Sequence, residues 1–384
     1  LTYAPTPIHG RGRIAIRADA SIACGSGHIM RCLTLADGLR AQGADVRFVT
    51  RAHPGNLDAL IEARGYRVHS LGPATQPASG PAAAGGEPPH AAWLGCDWAT
   101  DSNDTARALK SFGGVDWLVV DHYALDARWQ TPLRECASRV FVIDDLADRD
   151  HDADLLLDQN LVADAQQRYA ARTPHRCERL LGSSYALLRP EFAALRETAQ
   201  RRRLGAAARG DRARLLVFFG GVDATDETGK FLDAWTDDDA QRFAADVVIG
   251  PNHPRRAVHE QRVLPGVSVH GYVAAMAELM AAADHAFGAS GTSNWERFCL
   301  GLDASIVSVA DNQRAIARYL GVQGWVDCLG DADDTTPHTY RRALRVLDPA
   351  SPAAGARRRR IMEAVDGRGV ERVVQRLLGS REPL

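Results

Sequence analysis

Four stretches of this 384-residue chain carry residue types that could do chemistry. The first is Gly25-Ser26-Gly27-His28. A glycine turn lets the backbone approach a ligand closely, and the free N–H groups of a helix start attract anions. An imidazole at that point lies beside whatever anionic group docks. The helix dipole disfavours its charged form, so His28 is expected neutral near pH 7 and able to take a proton. The same pattern also serves as a plain tight turn. The second stretch is Gly288-Ala289-Ser290-Gly291-Thr292-Ser293, ahead of a helix beginning near Asn294. Small residues, hydroxyls and a helix start suit a diphosphate, and Glu296, one turn on, could reach a ribose hydroxyl pair. An ordinary helix capped by Ser or Thr has the same sequence.

The third is Gly220-Gly221, either a place of close backbone approach or a turn. The fourth is acidic: Asp144, Asp145, Asp148, His151, Asp152 and Asp154. These could supply ligands to Mg²⁺. Their spacing matches no metal loop, and aspartates capping the turns of a solvated loop are the preferred reading. No metal and no cofactor are expected. The chain holds no G-x-S-x-G, no Walker lysine and no G-x-G-x-x-G with an acidic residue at nucleotide spacing.

Alternating strand and helix patterns must position these groups. Arg13–Ala18 reads as a buried first strand, and Ile29–Arg40 as a helix with Ile29, Cys32, Leu33, Ala36 and Leu39 on one face. Asp45–Thr50, Tyr66–Leu71, Val115–Val120 and Arg139–Ile143 read as further strands, with helices over Asn56–Arg64, Ser102–Ser111 and Asp126–Ala137. The order implies a parallel sheet covered on both faces, with ligands beyond the C-terminal strand ends. His28, Asp121, His122 and Asp144 all follow such ends. Gly72–His90, rich in Ala, Pro and Gly, reads as a mobile surface loop. Leu146–Asn160 reads as a polar region, Pro190 as the opening of a helix, and Arg201–Arg212 as a linker. A second alternating block follows, with strands at Arg214–Phe219, Ala245–Ile249, Gly266–Val269, His285–Phe287 and Ser305–Val309.

The fold class is therefore α/β, two Rossmann-like domains with an interdomain cleft: an N-terminal domain over 1–200 and a C-terminal domain over 213–384. The length suffices for two full cores. A formal net charge of -2 gives no reason to expect nucleic acid or an anionic membrane as partner. Only Lys110 and Lys230 are lysine, a bias that carries no function. Seven scattered cysteines without C-x-x-C spacing indicate neither a disulfide framework nor a zinc site. With no long apolar run and no signal-peptide core, a soluble, cytoplasmic protein is expected. The chain opens on Leu1 rather than Met.

Several segments together resemble a known family. They are Ile16-Arg17-Ala18-Asp19, Gly25–Ala36, Val120-Asp121-His122-Tyr123, Ile143–Arg149, Asp158-Gln159-Asn160 and Tyr185–Phe192. The second half adds Phe219–Asp223, Gly288–Arg297 and Ala310-Asp311-Asn312-Gln313. In this order, over roughly residues 13 to 378, they resemble the UDP-2,4-diacetamido-2,4,6-trideoxy-β-L-altropyranose hydrolases of pseudaminic acid biosynthesis. Asp303 departs from the family, where a proline is usual, which puts the geometry near Ser305 in question. The Gly72–His90 loop is longer than the family's.

The resemblance implies a glycosyltransferase-B-like, MurG-like fold with UDP held mainly by the C-terminal domain. It implies inverting cleavage of the anomeric C–O bond, without a metal. His28 would be the base and Asn312 the second key residue. Arg17, Asp19, Gly27, Arg31, Asp121, His122, Tyr123 and Gln313 would bind the sugar, with His122, Tyr123 and Asn312 candidates for its amides. Gly220, Gly221, Ser290, Gly291, Thr292 and Glu296 would bind UDP. The N–H groups of Ser290–Thr292 would stabilise the departing charge. Two other readings remain: a glycosyltransferase using a UDP-amino sugar, and a non-catalytic nucleotide-sugar binding protein. The sequence leaves the oligomeric state open.

Overall fold

The computed structural model describes residues 12–75, 86–209, 212–271, 273 and 275–379. Most of the loop expected to be mobile, residues 76–85, lies outside them. No helix among the described residues is long and apolar enough to cross a membrane.

The chain forms two compact units. The first contains the chain up to Asn160, then Asp164–Leu187 and the segment from Gly369 onward; the second contains Leu161–Ala163 and Leu188–Arg368. These bounds differ from the expected ones at two places. The helix Pro190–Arg209 runs into the expected linker. Its buried Arg203 donates to the carbonyls of Met280, Ala283 and Leu300, so this helix belongs to the second unit. At the other end, the helix Gly369–Leu378 returns to the first unit. It packs on the helix Gly27–Ala41, where a β-carbon at Gly38 would lie 2.5 Å from Val370 Cγ1. Gly38 is thus the residue that lets the two helices approach. Trp117 Nε1 donates to Leu377 O at 2.9 Å across the same seam.

The first unit holds a seven-stranded parallel sheet. Its strands are β1 (Arg13–Ala18), β2 (Asp45–Ala52), β3 (Arg67–Pro73), β4 (Val115–Asp121), β5 (Ala137–Ile143), β6 (Leu155–Asp158) and β7 (Glu178–Leu181). The order is β3-β2-β1-β4-β5-β6-β7. Side chains alternate between two cores, as the pleat requires. Ile14, Ile16, Phe48, Trp117, Val119, Phe141 and Ile143 face the core that takes Leu33, Leu39 and Val373. Ala15, Val49, Leu118, Val120, Val140 and Val142 face the core with Leu109 and Trp129.

The second unit holds a six-stranded parallel sheet of β8 (Ala213–Phe218), β9 (Phe243–Val248), β10 (Val267–His270), β11 (His285–Ala289), β12 (Ala304–Ser308) and β13 (Asp327–Asp331). Its order is β10-β9-β8-β11-β12-β13. Strands β6, β7 and β13 were not expected from the sequence. Asp303, the departure from the family pattern, is buried and takes a bidentate pair from Arg357 at 2.7 and 2.8 Å. Beside it, Ser305 Oγ lies 3.0 Å from His285 Nε2 within an intact ladder, so the substitution leaves this strand in place.

Each sheet reverses its winding direction once, between β1 and β4 and between β8 and β11. In open parallel sheets the crevice beyond such a reversal is where ligands bind. The predicted histidine follows β1, and both glycine-rich stretches of the second half follow β8 and β11.

Candidate active site

His28 is the second residue of the helix Gly27–Ala41. The turn before it is closed by reciprocal bonds between Ser21 and Gly25, and Gly25 has φ +74°, a conformation glycine adopts without strain. Ser26 makes no side-chain cap, so the first N–H groups of the helix are left unoccupied by it. The register Ala18↔Asp121 places the ends of β1 and β4 side by side. That brings Asp121 under His28, with Nδ1 2.6 Å from Oδ1.

Asp121 is fully buried and spends both oxygens inside the protein. Arg31 donates to it from Nε at 2.6 Å and from NH2 at 2.7 Å, and Cys32 Sγ from 3.4 Å. Burial pushes the Asp121 carboxyl up, but Arg31 and His28 outweigh burial and hold it well below the usual carboxylate range. An ionised carboxylate only accepts, so Nδ1 of His28 carries the hydrogen, and Nε2 of the neutral ring holds the lone pair. Arg31 NH1 continues to Asp145 Oδ2 at 3.1 Å, and Tyr123 donates its hydroxyl to Asp145 Oδ1 at 2.6 Å. The edge of Tyr123 meets the His28 ring at 4.6 Å between centroids. His28, Arg31, Asp121 and Tyr123 are thus one cluster, as the motifs suggested, with Asp145 as its missing member.

A second cluster lies deeper. Arg17 is fully buried and pairs with Asp19 at 2.6 Å and Asp101 at 2.8 Å. Asp101 also takes Arg51 at 2.9 Å and Trp129 Nε1 at 3.0 Å. Asp19 Oδ2 faces His122 Nε2 and His53 Nε2, each at 3.5 Å. Burial, partly opposed by Asp19, pushes the His122 imidazole down to about 3, so it is neutral. Its Nδ1 accepts Ala124 N–H at 3.1 Å. Arg17, Asp19, Asp121, His122 and the Tyr123 hydroxyl therefore have their polar atoms buried within the protein. Sequence reasoning missed Arg51, His53 and Asp101. An Asp one turn into a helix gives no sign that it will meet an arginine of another strand.

In the second unit, Ser290–Ser293 link β11 to the helix Ser293–Cys299. Ser290 N–H is spent on Val307 O at 2.9 Å, which corrects the expectation that it is free. Asn294 Nδ2 donates to Ser290 Oγ at 3.2 Å, and a β-carbon at Gly291 would lie 3.7 Å from Gln313 Nε2. Gln313 Oε1 accepts Val309 N–H at 3.2 Å, while Asn312 is exposed at the start of the helix Asp311–Val322. Glu296 keeps about a quarter of its side chain open (24%), and Arg189 NH2 stands 3.8 Å from Oε1. Burial pushes the Glu296 carboxyl up against the opposing charges of Arg189 and Arg297. Arg297, also missed, is buried behind the loop and donates to Ala289 O at 2.9 Å. Burial, only partly opposed by the charge of Glu296, pushes it down to about 10. The close approach near Gly220-Gly221 occurs from outside: a β-carbon at Gly250 would collide with Gly220 O.

The acidic stretch is held by arginines. Asp144 pairs with Arg149, Asp152 with Arg134 and Arg176, and Asp154 with both of these. These carboxylates act as anchors for the loops after β5. Among the described residues, Asp226, His253 and His259 form the group with metal-ligand spacing. Yet His253 Nδ1 accepts Arg255 N–H at 3.0 Å, so its Nε2 carries the hydrogen and offers no lone pair to a cation. His259 Nε2 meets Asp226 Oδ1 at 2.6 Å as a hydrogen bond.

No protein-family model matches the chain. A hydrolase of UDP-2,4-diacetamido-2,4,6-trideoxy-β-L-altropyranose from Campylobacter jejuni is 27% identical over 181 residues, 47% of this chain and 53% of that protein. The matched region thus spans about half the length of this curated relative. MurG of Acinetobacter baumannii superposes with a TM-score of 0.64 at 13% identity, over 96% of this chain and 99% of that one. The calicheamicin glycosyltransferase CalG4 gives 0.59 at 16% identity, over 97% and 99%. Arabidopsis thaliana UGT89C1 in complex with UDP gives 0.61 at 13% identity, over 96% and 100%. The chain has the glycosyltransferase-B fold, each of its two parallel sheets a Rossmann-like unit.

Proposed function

We propose that this protein hydrolyses UDP-2,4-diacetamido-2,4,6-trideoxy-β-L-altropyranose, releasing UDP and the free sugar with inversion at C1. The observation that carries this reading is the bond between Asp121 and His28 Nδ1, which leaves Nε2 as the proton acceptor. The partial match to the Campylobacter jejuni hydrolase supports it. Binding of UDP or UDP-sugars by proteins of this fold agrees with it.

Nε2 takes a proton from water, and the oxygen attacks C1 on the face opposite UDP. UDP is already a good leaving group, so no acid need protonate it. The N–H groups of Gly291 and Thr292, with the buried charge of Arg297 behind them, stabilise its departing diphosphate. Glu296 takes the ribose hydroxyls. Asn312, exposed at a helix start, meets the substrate in the second unit, with Gln313 beside Gly291. The imidazolium formed at His28 is stabilised by Asp121, which Arg31 holds in place.

The glycosyltransferase names of some structural neighbours favour one other reading, transfer of the sugar to an acceptor hydroxyl. Incubation of the protein with this UDP-sugar in the absence of acceptor decides between them. NMR should show free sugar of inverted configuration and stoichiometric UDP in excess EDTA. UDP release only when an acceptor is added would replace hydrolysis by transfer, and tight UDP binding with neither reaction would leave a binding protein.

A further inference from the structure

We propose that His90 and Trp93 form the wall that selects the sugar, taking the apolar face of a 6-deoxy, N-acetylated hexose beside His28. This rests on His28 being the base, as read above. The polar groups first expected to meet the sugar's amides in this unit are turned inward: the Tyr123 hydroxyl goes to Asp145, and His122 is buried with Nδ1 on Ala124 N–H. Two rings that no motif included also contact Tyr123. His90 lies 5.4 Å and Trp93 5.9 Å from the Tyr123 centroid, and they are 4.4 Å from each other. Tyr123 itself touches His28 at 4.6 Å, so the base and the three rings form one chain of contacts.

His90 and Trp93 are half-buried. Their backbone is fixed. A 3-10 turn spans Ala91–Leu94, Trp93 N donates to His90 O at 2.9 Å, and Ala91 N to Pro88 O at 2.9 Å. Leu94 is buried in the core with Leu109 and Trp129. Gly95 O accepts Thr75 N–H at 2.8 Å, which ties the turn to the end of β3. Aromatic faces carry negative potential and attract the weakly positive C–H groups of a sugar ring and of methyl groups. A 2,4-diacetamido-6-deoxy hexose carries three methyls, so such a wall favours it over a sugar with a 6-hydroxyl. Loss of one apolar contact surface of this kind changes discrimination by roughly tenfold or more.

The test compares the parent, Trp93→Ala and Trp93→Phe on the diacetamido trideoxy UDP-sugar and on UDP-N-acetylglucosamine. Trp93→Ala should lose about tenfold in kcat/KM on the first, mainly through KM, and lose its preference over the second by a similar factor. Trp93→Phe should restore most of both, which a merely structural role would not predict. In parallel, saturation-transfer NMR follows binding of the free diacetamido sugar to the same proteins. A hydrolytically active parent whose Trp93→Ala variant keeps kcat/KM and preference overturns the wall and leaves the hydrolase reading standing. A parent that releases no UDP, yet binds the free sugar in a Trp93-dependent way, overturns the hydrolase and supports the wall. A parent that neither hydrolyses the UDP-sugar nor binds the free sugar overturns both. If Trp93→Ala does not fold, His90→Ala removes the other half of the wall and is held to the same outcomes.

Discussion

His28 Nδ1 and Asp121 Oδ1 lie 2.6 Å apart, joining the first turn of a helix to the last residue of β4. Asp121 has no exposed surface, and Arg31 holds both of its oxygens. The carboxylate therefore serves the imidazole and nothing outside the protein. It fixes the tautomer in which Nε2 accepts, and it faces the positive charge that appears on the ring when a proton arrives.

Asp121→Asn reverses that arrangement. The amide can donate to Nδ1, which moves the ring hydrogen to Nε2 and removes the proton acceptor. A loss in kcat of about 10² to 10⁴ is expected, the range of general-base catalysis. Arg31 also loses its main partner. Breaking a buried pair costs about 3–5 kcal/mol, and Asp145, still bonded to Arg31 NH1, should keep the loss at the lower end. Steady-state UDP release and thermal unfolding on the same preparation check both, and a folded variant with parental kcat would remove Asp121 from the mechanism.

Glu296→Ala should weaken UDP binding while leaving the first unit's residues untouched. Paired hydrogen bonds from ribose hydroxyls to a carboxylate contribute roughly 1.5–3 kcal/mol, a factor of about 10 to 150 in affinity. Calorimetry with UDP reads this directly. Unchanged affinity would leave Glu296 as the partner of Arg189 alone.

His122 should remove stability as the pH drops below about 6.5. Its folded value of about 3 lies under the unfolded one, so the unfolded chain binds more protons between the two. The contribution is complete above pH 6.5 and disappears toward pH 3. At pH 5 the loss is about 2 kcal/mol. His122→Asn keeps an acceptor for Ala124 N–H and removes the titration. Denaturant unfolding at pH 7.5 and 5.0 should show the parent losing about 2 kcal/mol relative to the variant over that interval. The difference isolates this residue from Asp158, which burial and Asp145 push up to about 7 and which acts with the opposite sign.

Much of the frame was legible because apolar runs bounded by turn residues leave few alternatives. β1 has the expected bounds, Arg13–Ala18, and both glycine-rich stretches do follow strands. β6 was hidden because Leu155, Leu156 and Leu157 sit among aspartates, so three buried residues were read with their polar surroundings. β13 begins on Asp327 and ends on Asp331, and it has no apolar alternation to reveal it. Gly38 marks the docking of a helix more than 300 residues downstream, information that no local period contains. His28 was visible from its turn, but its bond to Asp121 spans 93 positions and depends on the register of β1 on β4. Trp93 lay just past the stretch Gly72–His90, in no motif and no expected element.

The prediction on which the reading depends most concerns His28 itself. Without its imidazole, water must lose a proton unaided, so His28→Ala should lower kcat by about 10² to 10⁴. UDP affinity should barely change, because the proposed nucleotide contacts are residues of the second unit. His28→Asn separates geometry from basicity: its amide can still contact Asp121, yet it cannot take a proton, so it should be nearly as slow. His122 cannot take over the role, since its Nδ1 already accepts Ala124 N–H and its Nε2 faces Asp19. Near-parental turnover in a folded His28→Ala variant would therefore end the hydrolase mechanism as written.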